Sequence, residues 1–298
     1  MLNRIESNEV LGLFRLTASS VFKYVLEGTI IMSVDCVCVS AAILIILLAS
    51  VSDVRTREVS DVHWMALAIL AVVLSVGTDL FAAFLRIFAI ILVSLYLFSE
   101  KVVGPRALSV MILAYLMFFE AYLESGDQSV LVTMASITII LVLYHARIIR
   151  GGADAKALAV LSMAFPAYPE LNYVLWSPEY PEALVFNPVF STMAVALVVS
   201  CAMPIMIMIG KRGREPGFNS FVMSLEEARS SFVWPVQDYV EGKLVTARIP
   251  EESEAVYDRL EANGIEKVRV TPMIPFILPI AIGFTTTMVL GSPLFALT

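Results

Sequence analysis

Charged residues, cysteines and histidines are all scarce in this chain, and each shortage excludes a class of protein. Charged residues fill 16% of the 298 positions, whereas soluble globular domains have about 25%. Three cysteines make no disulfide framework, and with only two histidines they form no metal-ligand motif. There is also no basic tract of the kind that binds nucleic acid. We therefore expect no metal, no cofactor and no nucleic-acid partner.

Apolar residues, by contrast, fill 59% of the chain, and the mean hydropathy is +0.84. This excess predicts an all-α polytopic membrane protein with about eight transmembrane helices in a lipid bilayer. The predicted helices cover residues 36–51, 62–78, 80–98, 107–123, 129–148, 151–168, 185–209 and 273–290. The segment at 151–168 is marginal for a full crossing at about 1.5 Å per residue, so we expect its start to be recessed or hydrated.

The hydrophobic pattern divides the chain into four parts. Residues 1–33 mix charged and apolar positions, and we expect an N-terminal extension that forms an interfacial helix. Residues 34–209 are predicted to form the membrane core with both candidate aspartates, 210–271 a small cytoplasmic α+β domain, and 272–298 the last transmembrane helix.

Local patterns within residues 210–271 predict the elements of this small domain. Ser224 is expected to cap the start of a helix. Alternating apolar and polar residues predict strands at 242–249 and 266–271, which we expect to pair with each other. The acidic stretch 251–262 between them is predicted to be helical. About sixty residues make only a marginal core, so we expect the domain to pack against the membrane helices.

The basic residues predict the side of the membrane on which each loop lies. Lysine and arginine concentrate in the loops after the first, third, fifth and seventh predicted helices, which the positive-inside rule places in the cytoplasm. The opposite loops at 78–80, 124–128 and 166–184 contain neither residue. The N-terminal segment, with three basic residues, is the exception. Under this topology Asp53 and Asp154 lie on the same, cytoplasmic, side.

These two carboxylates each lie where an apolar segment meets water. Asp53 follows the first apolar run, and Asp154 follows Gly151 and Gly152 at the start of another. Charged groups at such positions are costly and are candidates for function. Two carboxylates in one site can hydrolyse a peptide bond, because the ionised group takes a proton from water while the neutral group protonates the carbonyl oxygen. A helix cap, a salt bridge to a nearby arginine, or a role in transport or proton relay are the alternatives.

Helix dipoles predict how such a pair shares its proton. Asp154 lies in the first turn of its predicted helix, where the positive end of the dipole favours an anion. Asp53 lies at the negative end of the first predicted helix, which disfavours an anion. We therefore expect the shared proton to rest mainly on Asp53.

Three segments carry more specific patterns, in this order along the chain: Ala49-Ser-Val-Ser-Asp-Val-Arg-Thr-Arg-Glu-Val-Ser-Asp-Val-His-Trp64, Gly151-Gly-Ala-Asp-Ala-Lys-Ala-Leu158 and Val270-Thr-Pro-Met-Ile-Pro-Phe-Ile-Leu-Pro279. They resemble the first catalytic region, the Gly-x-Gly-Asp signature and the entry to the last helix of archaeal preflagellin peptidases, also called archaeal type IV prepilin peptidases. The resemblance runs, with gaps, from the first helix to the C-terminus.

This resemblance to the GxGD-type intramembrane aspartyl proteases implies a function. Asp53 and Asp154 would be the catalytic pair of an aspartic-type endopeptidase in an archaeal cell membrane. The enzyme would remove the short basic leader from preflagellin or type IV pilin-like precursors, with its active site facing the cytoplasm.

Five other residues near the catalytic pair are candidates for supporting roles. Gly151 and Gly152 permit the helix start and the close approach of a substrate strand. Lys156 is expected to tune the neighbouring carboxylate or contact the substrate backbone, with a snorkelling membrane anchor as the alternative. Glu58 and Asp61 are expected to form an acidic rim that attracts the basic leader, with a solvated loop as the alternative.

The chain departs from the family pattern in two places. Ala153 occupies the third signature position instead of glycine, a change between small residues that leaves close packing possible. Some members have only six helices, so the segments at 80–98 and 107–123 resemble an added pair, which keeps both aspartates on one side. The chain also lacks the Cys-x-x-Cys pairs of bacterial relatives that methylate their product. An ion-coupled transporter and an inactive assembly factor are the alternative functions.

Overall fold

The computed structural model describes residues 34–293 and 295, apart from 77–78, 100–103, 150, 170–177, 179–180, 211–215, 218–219 and 247–252. The predicted N-terminal extension, residues 1–33, lies outside the described residues.

The described chain is mostly helical, and each of the eight predicted apolar segments contains a helix. These helices are α1 (Val34–Thr56), α2 (Asp61–Leu74), α3 (Leu80–Phe98), α4 (Pro105–Ser125), α5 (Ser129–His145), α6 (Gly152–Ala164), α7 (Pro188–Gly210) and α10 (Ile277–Leu290). Helices α1, α3 and α4 are long and apolar enough to cross a membrane, whereas α2, α5, α10 and the part of α7 from Pro188 to Ala202 are shorter apolar helices. The described part of the chain is therefore compatible with a membrane protein and has three candidate membrane-spanning helices.

Polar side chains cap the starts of two helices, and a glycine ends a third. Asp79 accepts hydrogen bonds from two first-turn N–H groups of α3, and Asn187 does the same for α7. Such caps satisfy backbone donors that have no partner within the helix. Gly126 ends α4 in the left-handed conformation, with φ of 66°, which glycine adopts without steric cost.

Helix α6 lies at the centre of the bundle. Helices α2, α3, α5, α7 and α10 all contact it, and every residue from Ala157 to Ala164 is buried. A helix that is apolar on all sides is stable only when neighbours cover all sides. Because protein surrounds α6, a helix of only 13 residues is stable at this position. The first turn of α6, which holds Asp154, thus lies at one end of the bundle interior.

Helices α7 and α10 pack closely against each other at Gly283. A Cβ atom at this position would lie 2.5 Å from the carbonyl oxygen of Thr192 and 3.2 Å from the main-chain nitrogen of Ala196. Small residues allow two membrane helices to approach this closely. The contact holds α10, whose first turn enters the candidate site.

The β strands form a separate sheet domain, which we define as residues 216–272. It contains β1 (Pro216–Gly217), β2 (Ser220–Ser224), α8 (Leu225–Arg229), β3 (Val233–Pro235), β4 (Gln237–Val240), β5 (Lys243–Thr246), α9 (Ser253–Ala262) and β6 (Lys267–Pro272). Strands β1, β2, β6 and β3 form an antiparallel sheet in that order, and β4 and β5 form a hairpin. The Ser224 hydroxyl caps α8 as predicted, accepting a hydrogen bond from the Glu227 N–H group.

The predicted pairing of the strand at 242–249 with the strand at 266–271 is wrong. Strand β5 pairs with β4, across a turn in which Glu241 and Gly242 both have positive φ angles, 52° and 79°. This local hairpin turn matches the twist of the strands, so β5 closes onto its nearest neighbour. Strand β6 instead lies between β2 and β3, because its alternate residues Val268 and Val270 enter the core of the sheet domain.

One ion pair connects the β4–β5 hairpin to helix α9. The Arg259 guanidinium donates hydrogen bonds to both carboxylate oxygens of Asp238, at 2.6 and 3.0 Å. These hydrogen bonds hold the pKa of Asp238 below its usual value. The hairpin is therefore attached to the core of the sheet domain.

Candidate active site

Asp53 lies in the last turn of α1, and its side chain reaches another helix. The residue is only 8% exposed. Its Oδ2 atom accepts a hydrogen bond at 3.0 Å from the N–H group of Ile277, the first residue of α10. The N-terminal N–H groups of a helix lack internal partners and favour a negative charge. Asp53 thus caps α10 across 224 positions of sequence.

This contact adds a factor that the sequence argument about the shared proton did not include. The sequence argument considered only the negative end of α1, which disfavours an anion at Asp53. In the structure the positive end of α10 faces the same carboxylate, and a direct N–H hydrogen bond favours the ionised form. At Asp53 the positive end of α10 thus offsets the negative end of α1, while Asp154 still lies at the positive end of α6, so the location of the shared proton stays a prediction.

Asp154 lies in the first turn of α6, with its carboxylate folded back over Gly151. A Cβ atom at Gly151 would collide with the carboxylate of Asp154. The φ and ψ angles of Gly151, −78° and 122°, are open to any residue, so the need for glycine there is steric. At Gly152 the nearest atom to an added Cβ is the Tyr144 hydroxyl, at 3.8 Å. The two glycines are therefore not equivalent.

Both carboxylates line one cavity of about 580 Å³, which we call the aspartate cleft. Gly151 and Gly152 also line it. The remaining walls are mostly apolar and come from four places: the α1–α2 connection, the end of the α5–α6 connection, strand β3, and the segment at 273–277 that enters α10. The cleft thus combines a pair of carboxylates with mostly apolar walls.

No protein-family model matches the chain, and no curated protein matches it either. The resemblance to preflagellin peptidases therefore stays a prediction. The assignment of the site rests on the chemistry and placement of its residues.

The other three predicted supporting residues do not line the aspartate cleft. Lys156 donates hydrogen bonds to both carboxylate oxygens of Asp61, at 2.7 and 2.8 Å, and its ammonium lies 5.6 Å from the Phe98 ring centre. This pair ties α6 to the start of α2. Glu58 is exposed, and its main-chain carbonyl accepts hydrogen bonds from the hydroxyls of Ser52 and Thr56. Of the two acidic residues expected to form a rim, Asp61 is therefore paired with a lysine.

Arg57 is a cleft residue that the sequence argument treated only as a marker of the cytoplasmic side or a salt-bridge partner. It follows α1, and its Nη1 atom donates to the main-chain carbonyl of Asp53 at 3.5 Å. Its guanidinium lies 5.2 Å from the centre of the Phe232 ring, in the sheet domain. Within the described residues, its buried Nε atom has no hydrogen-bond partner. Arg57 thus joins the end of α1 to the sheet domain.

Trp234 is the second cleft residue that the sequence did not reveal. It lies on strand β3, and the flanking residues Val233 and Pro235 are buried in the sheet domain. The only signal in the sequence is that side chains alternate between the two faces of a strand, which directs Trp234 away from that core. Its distance in sequence from both aspartates left no further signal.

Loss of the ion pair between Lys156 and Asp61 is expected to have a modest effect on stability. Lys156→Met and Asp61→Asn should each lower the midpoint of thermal unfolding in detergent by about 2–4 °C, because a partly exposed ion pair contributes about 1 kcal/mol or less. The charge-swapped double variant should recover part of the loss.

Asp258→Asn is the matched control for this experiment, because Arg229 keeps its pairs with Glu254 and Glu261 when Asp258 is neutralised. A drop of more than about 10 °C in either single variant, without rescue by the swap, would contradict a simple ion-pair role.

Proposed function

We propose that this chain is a membrane-embedded aspartic endopeptidase that removes the leader peptide from preflagellin or type IV pilin-like precursors. The observation that carries the proposal is that Asp53 from α1 and Asp154 from α6 line the same cleft. The three matching segments lend further support, since they supply both aspartates and the connector that holds Asp53. Water is the nucleophile.

The mechanism follows from the environment of the two carboxylates. Ionised Asp53 takes a proton from water while the water oxygen bonds to the peptide carbonyl carbon, and Asp154 gives its proton to the carbonyl oxygen. The C–N bond of the tetrahedral intermediate then breaks. The amine nitrogen receives the proton held by Asp53, and one hydroxyl of the intermediate returns a proton to Asp154. The pair ends in its starting protonation state.

The membrane arrangement is part of the proposal. In our topology eight helices cross an archaeal cell membrane, with the aspartate cleft and the sheet domain on the cytoplasmic side. The apolar character of seven helices supports the multi-pass arrangement, and the positions of lysine and arginine support the orientation. Residues 34–209 would form the protease core, 210–271 the cytoplasmic domain, and 272–298 the last crossing.

The proposal is tested by incubating the purified full-length chain, in proteoliposomes, with precursors that carry a basic leader before an apolar segment. We expect a single cut near the start of the apolar segment, identified from the mass of the new N-terminus. The same proteoliposomes with an internal pH-sensitive dye test the alternative of proton-coupled transport. Proton movement without cleavage would replace the protease by a transporter, and neither activity in folded protein would favour an inactive assembly factor.

A further inference from the structure

Strand β3 presents one large aromatic side chain to the two aspartates. Val233 and Pro235 are buried, and Trp234 between them is only partly buried and lines the aspartate cleft. Successive residues of a strand point to opposite faces, so the sheet-domain core on one side directs Trp234 towards the cleft on the other. Trp234 is the only described residue between 216 and 271 that lines this cavity.

The position of Trp234 relative to Asp53 is fixed by a continuous set of backbone contacts. Trp234 pairs with Thr271 of β6, and the N–H group of Met273 donates to the carbonyl of Phe232 at 3.0 Å. The chain then runs through the segment at 273–277, which itself lines the cleft, to the N–H group that binds Asp53. Movement of β3 would therefore be transmitted to the start of α10.

A second contact holds β3 from the membrane side. The guanidinium of Arg57 lies over the ring of Phe232, the residue that immediately precedes β3. A cation over an aromatic face contributes about 0.5–1 kcal/mol at an exposed site, and more when water is excluded. The wall that carries Trp234 is thus held by both the sheet and α1.

The chemistry around Trp234 favours an apolar substrate side chain. Ile148, Ile149, Met273 and Ile274 line the same cleft. A charged side chain placed against these four residues would lose water and gain no partner from them. The cation of Arg57, in the same cavity, would also repel a lysine or arginine that approached the tryptophan ring.

We propose that Trp234 is a specificity-determining residue of the aspartate cleft, which selects precursors with an apolar side chain beside the scissile bond. This inference rests on the proposed protease function. It assigns to the sheet domain the recognition of the substrate, and to the membrane helices the cleavage. The basic part of the leader then lies outside the apolar part of the cleft.

The test uses precursors that differ only at the two positions flanking the scissile bond, with alanine, leucine, phenylalanine, lysine or glutamate at each in turn. With the full-length enzyme, Trp234→Ala is expected to lower kcat/KM for the leucine and phenylalanine precursors by about ten- to hundredfold. For the alanine precursor the loss should be below about threefold. Trp234→Phe should recover most of the selectivity, because it restores a large apolar surface.

Tyr239→Ala is the matched control, since Tyr239 packs against the core of the sheet domain and is absent from the lining of the cleft. An equal loss for every precursor, or the same change of preference with Tyr239→Ala, would overturn the inference and leave the protease function standing. A wild-type chain that cleaves no precursor would overturn both.

Discussion

Asp53→Asn and Asp154→Asn are each expected to lower the rate of precursor cleavage by about 10²–10⁴-fold, the contribution typical of a positioned general acid or base. The reason is that one carboxylate must accept a proton from water and the other must donate one to the carbonyl oxygen. An amide does neither. The measurement is cleavage by proteoliposomes that contain equal amounts of folded wild type or variant.

The Asp53→Asn variant also separates the effect of residue 53 on catalysis from its effect on stability. An amide oxygen can still accept the hydrogen bond from the Ile277 N–H group, so α10 keeps its cap and only the charge is lost. Asp53→Ala removes the cap as well and should cost about 1 kcal/mol more in stability. Thermal unfolding of the two variants tests this difference.

Asp79→Asn is the matched control for the aspartate variants. Asp79 is likewise a carboxylate at a helix end, where it caps α3, and it lies outside the lining of the aspartate cleft. Its neutralisation should leave cleavage within about threefold, because an asparagine caps a helix about as well. Cleavage at the wild-type rate by either Asp53→Asn or Asp154→Asn would refute the catalytic pair.

Gly151→Ala is expected to reduce cleavage by about 10²-fold, whereas Gly152→Ala should leave it within about threefold. At residue 151 the new methyl group would occupy the space of the Asp154 carboxylate, which must then rotate away. A displacement of about 1 Å in a catalytic group can cost this much. At residue 152 the nearest atom is 3.8 Å away, an ordinary contact.

The same two variants show whether a loss of cleavage comes from a steric clash or from backbone strain. Neither glycine has a positive φ angle, so the alanine substitutions impose no backbone strain. Thermal unfolding should change little in either variant, and Gly152→Ala should be neutral or slightly stabilising at the start of α6. A Gly152→Ala variant that loses more activity than Gly151→Ala would place the Asp154 carboxylate elsewhere.

The helices and the two candidate carboxylates could be predicted from local sequence. Apolar runs such as 80–98, which has a single charged residue, coincide with a helix, Leu80–Phe98, because a run of this length and hydrophobicity has few other ways to satisfy its backbone. Asp53 and Asp154 were visible because a charge beside an apolar run is rare. The number of membrane crossings and the function stay predictions.

The surroundings of the carboxylates depended instead on contacts between distant parts of the chain. No local sequence pattern indicates that the N–H group of Ile277 donates a hydrogen bond to Asp53, since 224 positions separate the two residues. That contact brings the positive end of a second helix to Asp53, which the sequence argument about helix dipoles did not include. The placement of Trp234 likewise needed the sheet. Its strand pairs with β6, which leads directly into the segment that holds Asp53.

The positions of the helices and of the two candidate carboxylates thus follow from short stretches of sequence, because the hydrophobicity of a segment and the period of its pattern are local properties. The partners of those charges, the unequal roles of Gly151 and Gly152, and the cleft wall around Trp234 follow from packing. Packing brings together side chains from α1, α6, β3 and the start of α10, which only the folded chain places within reach of one another.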